Sequence, residues 1–287
     1  MSTILRNTLF PLAALALVSA APIANAVPLD LRFNDFIETP DGTAAFGFGP
    51  SYSGTSMHYT NVATQGSVTV DARVTAYAYG DYKFNYHVPN YNQTSGVEPN
   101  GDIAFIYSNS EVYGSGGLTY IFELFDGAGA KSGTFSERYV ADELAIIAYD
   151  IDGENNAFNY QIESLRVFTA DGISSYQTGA AAASVTASLE NDGKEILFTG
   201  PGSNVSERDT SGAVQVNYLN TDHFVFQFES ETFRGATNNP VFSAIDGDLT
   251  IKMDGDTVYV SEPETLFMMA SALFGMGFVR RRKNKNA

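Results

Sequence analysis

VTVDARVTAYAYGDYKFNYHVPNY, residues 68–91, carries the pattern that decides the fold. Val68, Val70, Ala72, Val74 and Ala76 share one side of an extended chain, and Thr69, Asp71, Arg73 and Thr75 share the other. Side chains of a β-strand alternate between two faces, so this period of two predicts a long, half-buried strand. The phase slips at Gly80-Asp81, where a bulge or tight turn is expected. Tyr77, Tyr79, Tyr82, Tyr86 and Tyr91 then form either an aromatic packing face or a patch on which a ligand stacks.

The same signals recur on both sides of this stretch. LTYIFELF (118–125) is apolar on both faces except at Glu123, as a central strand should be. SLRVFTADGISSYQT (164–178) reads as strand, Asp171-Gly172 turn, strand. SVTASLENDGKEILFTG (184–200) reads as a hairpin about Asp192-Gly193, with Val185, Ala187 and Leu189 answered by Ile196 and Phe198. Further strands are expected at 102–108, 144–150, 213–219, 223–229, 248–253 and 257–260. One helix is expected over 137–144, after a Ser136 cap. The longest loops fall at 49–67 and 87–101. Many short strands with regular turn signals predict an all-β protein, a β-sandwich of jelly-roll-like type. No period repeats and no long linker divides the chain, so residues 27–260 read as one domain, with two small sandwiches as the alternative.

The ends of the chain are of a different kind. Arg6, the apolar run 9–18 and the small residues Ala24 and Ala26 around Asn25 have the three parts of a secretory signal peptide, residues 1–26, cut by signal peptidase after Ala26. Near the other end, residues 266–279 hold no charge and are followed by Arg280, Arg281, Arg282, Lys283 and Lys285. The run is shorter than the roughly 20 residues of an ordinary spanning helix. The basic cluster behind it is expected to stay cytoplasmic, leaving the preceding chain outside. The order Glu262, Pro263, Glu264, then a Gly-containing apolar stretch, then three arginines, resembles a PEP-CTERM sorting domain over residues 261–287. Ser261 stands where that motif's leading Pro usually falls. The resemblance implies a Gram-negative, polysaccharide-producing bacterium. It also implies an exosortase-type enzyme that removes the tail after a transient stay in the inner membrane, leaving the protein at the cell surface or in the extracellular matrix.

Charge narrows the partners. The chain has 33 acidic and 16 basic residues, a net charge of −17. Residues 1–26 contain one basic group, and residues 262–287 contain two acidic and five basic groups. Without both ends, 31 acidic and 10 basic residues remain, a net charge of −21. Such a surface excludes nucleic acid and anionic membrane as partners, apart from the C-terminal segment before processing. It favours cations. Cysteine is absent, and a domain of this length buries enough core to do without disulfides.

Several clusters could carry chemistry. In YDIDGENNAFNYQIES (149–164), Asp150, Asp152, Glu154 and Asn155 surround Gly153, and Glu163 returns on the next strand. Several oxygen ligands on a flexible Gly-containing loop suit calcium, although the spacing is not that of an EF-hand. The competing reading is an Asp-Gly turn that needs backbone geometry alone. Asp246-Gly247-Asp248 and Asp254-Gly255-Asp256 offer the same choice, with hairpin turns favoured. FDGAGAKSG (125–133) lacks the pattern of a phosphate-binding loop. In FQFESETF (226–233), Glu229 and Glu231 stand two apart, as paired carboxylates of a sandwich glycosidase would. Exposed strand glutamates look the same. His58, His87 and His223 lack metal-ligand spacing. Two functions follow: a non-catalytic surface or matrix protein that binds exopolysaccharide and calcium, or a secreted polysaccharide hydrolase.

Overall fold

The computed structural model describes residues 28–37, 54, 56–91, 101–206, 208–235 and 239–260, with the backbone alone at 84 and 86–91. The expected signal peptide (1–26), the expected sorting tail (261–287) and their expected cleavage residues lie outside the described residues.

Two antiparallel sheets face each other. The larger holds β1 (Asp35–Ile37), β2 (Ser56–Gln65), β3 (Val68–Gly80), β6 (Ser115–Asp126), β14 (His223–Arg234), β9 (Tyr160–Phe168), β12 (Glu195–Thr199) and β11 (Thr186–Glu190), side by side in that order. A short β8 (Gly153–Asn155) also pairs with β9. The smaller runs β16 (Thr257–Tyr259), β10 (Ile173–Thr178), β13 (Val214–Thr221), β7 (Ala141–Tyr149), β15 (Pro240–Asp246), β5 (Asp102–Asn109) and β4 (Tyr82–Tyr91). The all-β sandwich expected from the strand pattern is therefore present.

Alternation builds the core. On β14, Phe224, Phe226 and Phe228 are buried while Val225, Gln227 and Glu229 are half-buried on the opposite face. Phe122 on β6 stacks on Phe224 with ring centres 4.6 Å apart. Across the gap between sheets, Phe105 on β5 meets Tyr120 on β6 at 3.7 Å. Each such ring contributes roughly 1.5–3 kcal/mol by leaving water, so the aromatic layer outweighs any surface ion pair.

The phase slip at Gly80-Asp81 is a corner. β3 ends in the larger sheet and β4 begins in the smaller. Gly80 sits at φ 64°, and a Cβ there would lie 2.3 Å from the Ser115 carbonyl oxygen, so only glycine fits. Asp81 Oδ2 accepts the Ser115 N–H at 3.2 Å and fixes the bend. β4 lies on the sheet edge, where Pro89 removes no ladder hydrogen bond that the sheet needs. The Asp171-Gly172 turn likewise carries the chain from β9 in one sheet to β10 in the other.

Four expectations are corrected. Residues 87–91, read as the start of a loop, continue β4 and pair with β5. Residues 137–144 form no helix, because Tyr139 N–H bonds the Leu124 carbonyl and β7 starts at Ala141. Residues 56–65, read as loop, form β2. Its alternation is broken by a register shift between Tyr59 and Ala63, with Asn61 at φ 53°. Residues 248–253 form no strand. They cross the outer face of the smaller sheet as a strap, with Leu249 and Ile251 packed in a small core with Ala104, Ile147 and Tyr149.

Candidate functional site: a groove on the larger sheet

Cross-strand register builds a row of side chains on the outer face of the larger sheet. Tyr79 on β3 pairs with Gly117 on β6, Gly117 with Glu229 on β14, Glu229 with Ser164 on β9, and Ser164 with Thr199 on β12. Glycine and serine in the middle of a row leave a depression between taller neighbours. A groove of about 510 Å³ lies along it, lined by Tyr79, Glu229, Ser164 and Thr199 of the row together with Gly116, Ile162, Leu197 and Glu231. Gly117 has no alternative, since a Cβ would meet the Phe228 carbonyl oxygen at 1.8 Å.

Polar groups beside the groove hold its lining residues Glu229 and Tyr79 in place. Arg166 Nε donates to Glu229 Oε1 at 2.7 Å and Nη2 to Oε2 at 3.3 Å, while Nη1 reaches Glu195 Oε2 at 2.7 Å. Gln227 Nε2 donates to Tyr79 Oη at 2.9 Å and to Glu229 Oε1 at 3.0 Å. Burial, with the Glu229 carboxylate beside it, holds the Tyr79 phenol well above its ordinary pKa. Tyr79 is therefore neutral at physiological pH and presents a hydroxyl and a ring face. Past Glu231, Tyr160 and Phe233 stack at 5.0 Å on the same outer face. Tyrosine and phenylalanine thus stand at the margins, with hydrogen-bonding groups between them. That combination suits a ligand with apolar ring faces and hydroxyl edges.

The two glutamates weighed as a carboxylate pair, Glu229 and Glu231, lie on this face but are unequal. Glu229 has both oxygens engaged by one guanidinium, whereas Glu231 is exposed. A proton-transferring carboxyl must be free to exchange its proton with the substrate. Glu229 is tied instead into the wall.

The expected calcium ligands are only partly gathered. Asp152 is buried, its Oδ2 accepting Val205 N–H at 2.7 Å and its Oδ1 accepting Gly153 N–H. Glu163 points inward from β9. Burial, then the charges of Asp152 and Asp150, push its carboxyl well above the usual range. Glu154 is turned aside, accepting from Asn156 Nδ2 at 2.5 Å and Asn159 Nδ2 at 2.8 Å, and Asn155 is exposed. Among the described residues, the three carboxylates whose oxygens come within 4.8 Å of one another are Asp102, Asp246 and Asp248.

Among the remaining candidates, His87 is described by its backbone alone, while His58, His223, Asp126 and Asp254 make local contacts. His58 packs on Phe135 at 4.4 Å, and His223 Nδ1 lies 2.7 Å from Asp222 Oδ1. Asp126 anchors its glycine loop through Lys131 at 2.6 Å. Asp254 Oδ1 accepts Ala180 N–H at 3.0 Å. Sequence reasoning missed the groove because its row joins five strands spread over residues 79–229. The local clue was the Gly116-Gly117 pair inside an otherwise apolar strand.

No family model matches this chain, and no curated protein matches it. Among solved structures, it is similar to the N-terminal domain of the adhesin Sgo0707 of Streptococcus gordonii, at 12% identity and a TM-score of 0.36. The match covers 72% of this chain and 48% of the adhesin chain, about half of that chain's length. Among the described residues, no helix is long and apolar enough to cross a membrane.

Proposed function

We propose that the protein is an exported, non-catalytic β-sandwich of the cell surface or extracellular matrix that binds polysaccharide along the groove. A jelly-roll-like scaffold with a binding face suits that role. The observation that carries the reading is the row from Tyr79 through Gly117 to Glu229. It supplies a ring at Tyr79, no side chain at Gly117 and, at Glu229, a carboxylate fixed by Arg166 and Gln227. An extended sugar chain needs those features and no moving part. Export rests on the signal peptide and on the PEP-CTERM-like tail, with signal peptidase and an exosortase-type enzyme as processing partners. The secreted hydrolase remains the second reading, because Glu229 and Glu231 both line the groove. The Arg166 clamp on Glu229 weighs against it.

A panel of soluble polysaccharides, scored by affinity electrophoresis and by release of reducing ends, tests both. Retardation without new reducing ends, weakened about tenfold by Tyr79→Ala, is expected for loss of one stacking contact. Release of reducing ends that Glu231→Gln abolishes would establish the hydrolase instead. No retardation by any member would remove the groove from the proposal.

A further inference from the structure

The opposite face of the sandwich holds a second arrangement that the groove does not use. Asp102 opens β5 and Asp246 closes β15, and the ladder that pairs Ile103 with Ile245 sets the two beside each other on the outer face of the smaller sheet. Asp248 arrives on the strap that follows. One oxygen from each carboxylate lies within 4.8 Å of the other two. The side chains of Asp102 and Asp246 are 0% exposed and that of Asp248 is 4% exposed.

Hydrogen-bond donors are distributed unevenly over these oxygens. Asp102 Oδ2 accepts from Tyr149 Oη at 2.7 Å and Arg208 Nη1 at 3.0 Å. Asp246 Oδ2 accepts from Thr250 Oγ1 at 3.0 Å and Ile251 N–H at 2.7 Å. Asp248 Oδ2 faces the largely exposed Arg32 at 3.4 Å. Asp246 Oδ1 and Asp248 Oδ1 are buried, and among the described residues no donor reaches either. A buried carboxylate oxygen without a donor is costly, and carboxylates sharing one site repel each other. Either a proton or a cation relieves both penalties.

We propose that Asp102, Asp246 and Asp248 bind a calcium ion, with the two unbonded oxygens among its ligands, and that this ion pins the strap to the ends of β5 and β15. Oxygens each about 2.4 Å from one ion are at most about 4.8 Å apart, which the three carboxylates satisfy. Calcium accepts several protein carboxylates in flexible geometry, whereas magnesium keeps most of its water and takes one or two. Local charge agrees. Burial and the neighbouring Asp246 raise the Asp102 carboxyl to about 7, and burial with Asp246 raises Asp248 to about 7. Arg208 and Arg32 therefore leave the cluster short of positive charge. The site lies on the other sheet from the groove, so sugar binding and calcium binding succeed or fail separately.

The test is calorimetric titration of chelator-treated full-length protein with calcium chloride and with magnesium chloride, at mildly alkaline pH and fixed ionic strength, together with thermal melting. One calcium per chain is expected, with a calcium-specific rise in melting temperature. Asp248→Asn should weaken calcium affinity about tenfold or more. In chelator the same variant should melt above the wild type, because it relieves repulsion; in calcium the order should reverse. Asp246→Asn provides the second variant. Equal responses to the two metals without a saturable site would overturn the proposal. So would a calcium site that survives Asp248→Asn and Asp246→Asn but disappears in Asp150→Asn/Asp152→Asn.

Discussion

Arg166 grips Glu229 at both carboxylate oxygens and, with its remaining arm, holds Glu195 two strands away from Glu229. One cation thus ties β14, β9 and β12 together across the groove wall. The three side chains are 17–24% exposed, so solvent screens the contacts only partly. Arg166→Ala leaves two half-buried carboxylates without their cation and should cost about 1–3 kcal/mol in urea unfolding. Arg166→Lys should recover part of that, since an ammonium cannot bind two oxygens in parallel.

Gly117 has space for a hydrogen and nothing larger. Gly117→Ala should lower stability by about 3 kcal/mol or more, because the obstruction is the Phe228 carbonyl of the neighbouring strand. Ser164→Ala, one strand beyond Glu229, should stay within about 0.5 kcal/mol of the wild type. Paired denaturation curves check both.

Burial raises the Asp171 carboxyl to about 6, partly offset by Val225 N–H at 2.9 Å and by His223. An unfolded aspartate titrates near 4, so the folded chain holds this proton more tightly. Stability from this group is therefore greatest below about pH 4, falls as pH rises to about 6, and is level above that. Asp171→Asn should flatten the curve and add roughly 2–3 kcal/mol at neutral pH. Unfolding free energies measured across that range decide the matter. An advantage of Asp171→Asn over the wild type that shrinks as pH rises from about 4 to about 6 would contradict the sign.

Tyr59 is fully buried, and among the described residues its hydroxyl has no hydrogen-bond partner. Tyr59→Phe keeps the edge contacts to Phe33 and Phe36 at 5.2 and 5.4 Å. It should raise stability by about 1 kcal/mol. Thermal unfolding of the pair of proteins is the check.

Intact-mass measurement of the protein extracted from its native cell surface should show both ends removed, beginning at Val27 and lacking residues 280–287. Retention of the basic cluster would end the sorting proposal.

The sandwich was legible because strands such as β3 and β14 keep one apolar face in phase for many residues. β2 was not legible, because the bulge between Tyr59 and Ala63 resets its phase mid-strand. Asp71 shows another limit. It lies on the polar face of β3, yet it is fully buried, accepting Asn61 N–H at 2.9 Å and Gly133 N–H at 2.7 Å. Periodicity assigns a face; it does not reveal that a loop will cover that face. The carboxylate cluster escaped notice for a similar reason. Asp246 and Asp248 look like turn chemistry until Asp102, from a distant strand, is set beside them.

β15 lies between β7 and β5, and Asn239 at its entrance donates its backbone N–H to Asn109 across 130 residues of chain. The smaller sheet cannot close until that late segment has arrived. Contacts so distant in sequence are reached only after most loop-closure entropy has been lost, which makes folding slow. A nascent chain therefore stays open while nearly all of it is synthesised, with β5 and β7 lacking the strand that joins them. On the export reading proposed above, that delay is useful to a chain threaded through a narrow translocation pore: the fold withholds β15 until the passage is almost complete.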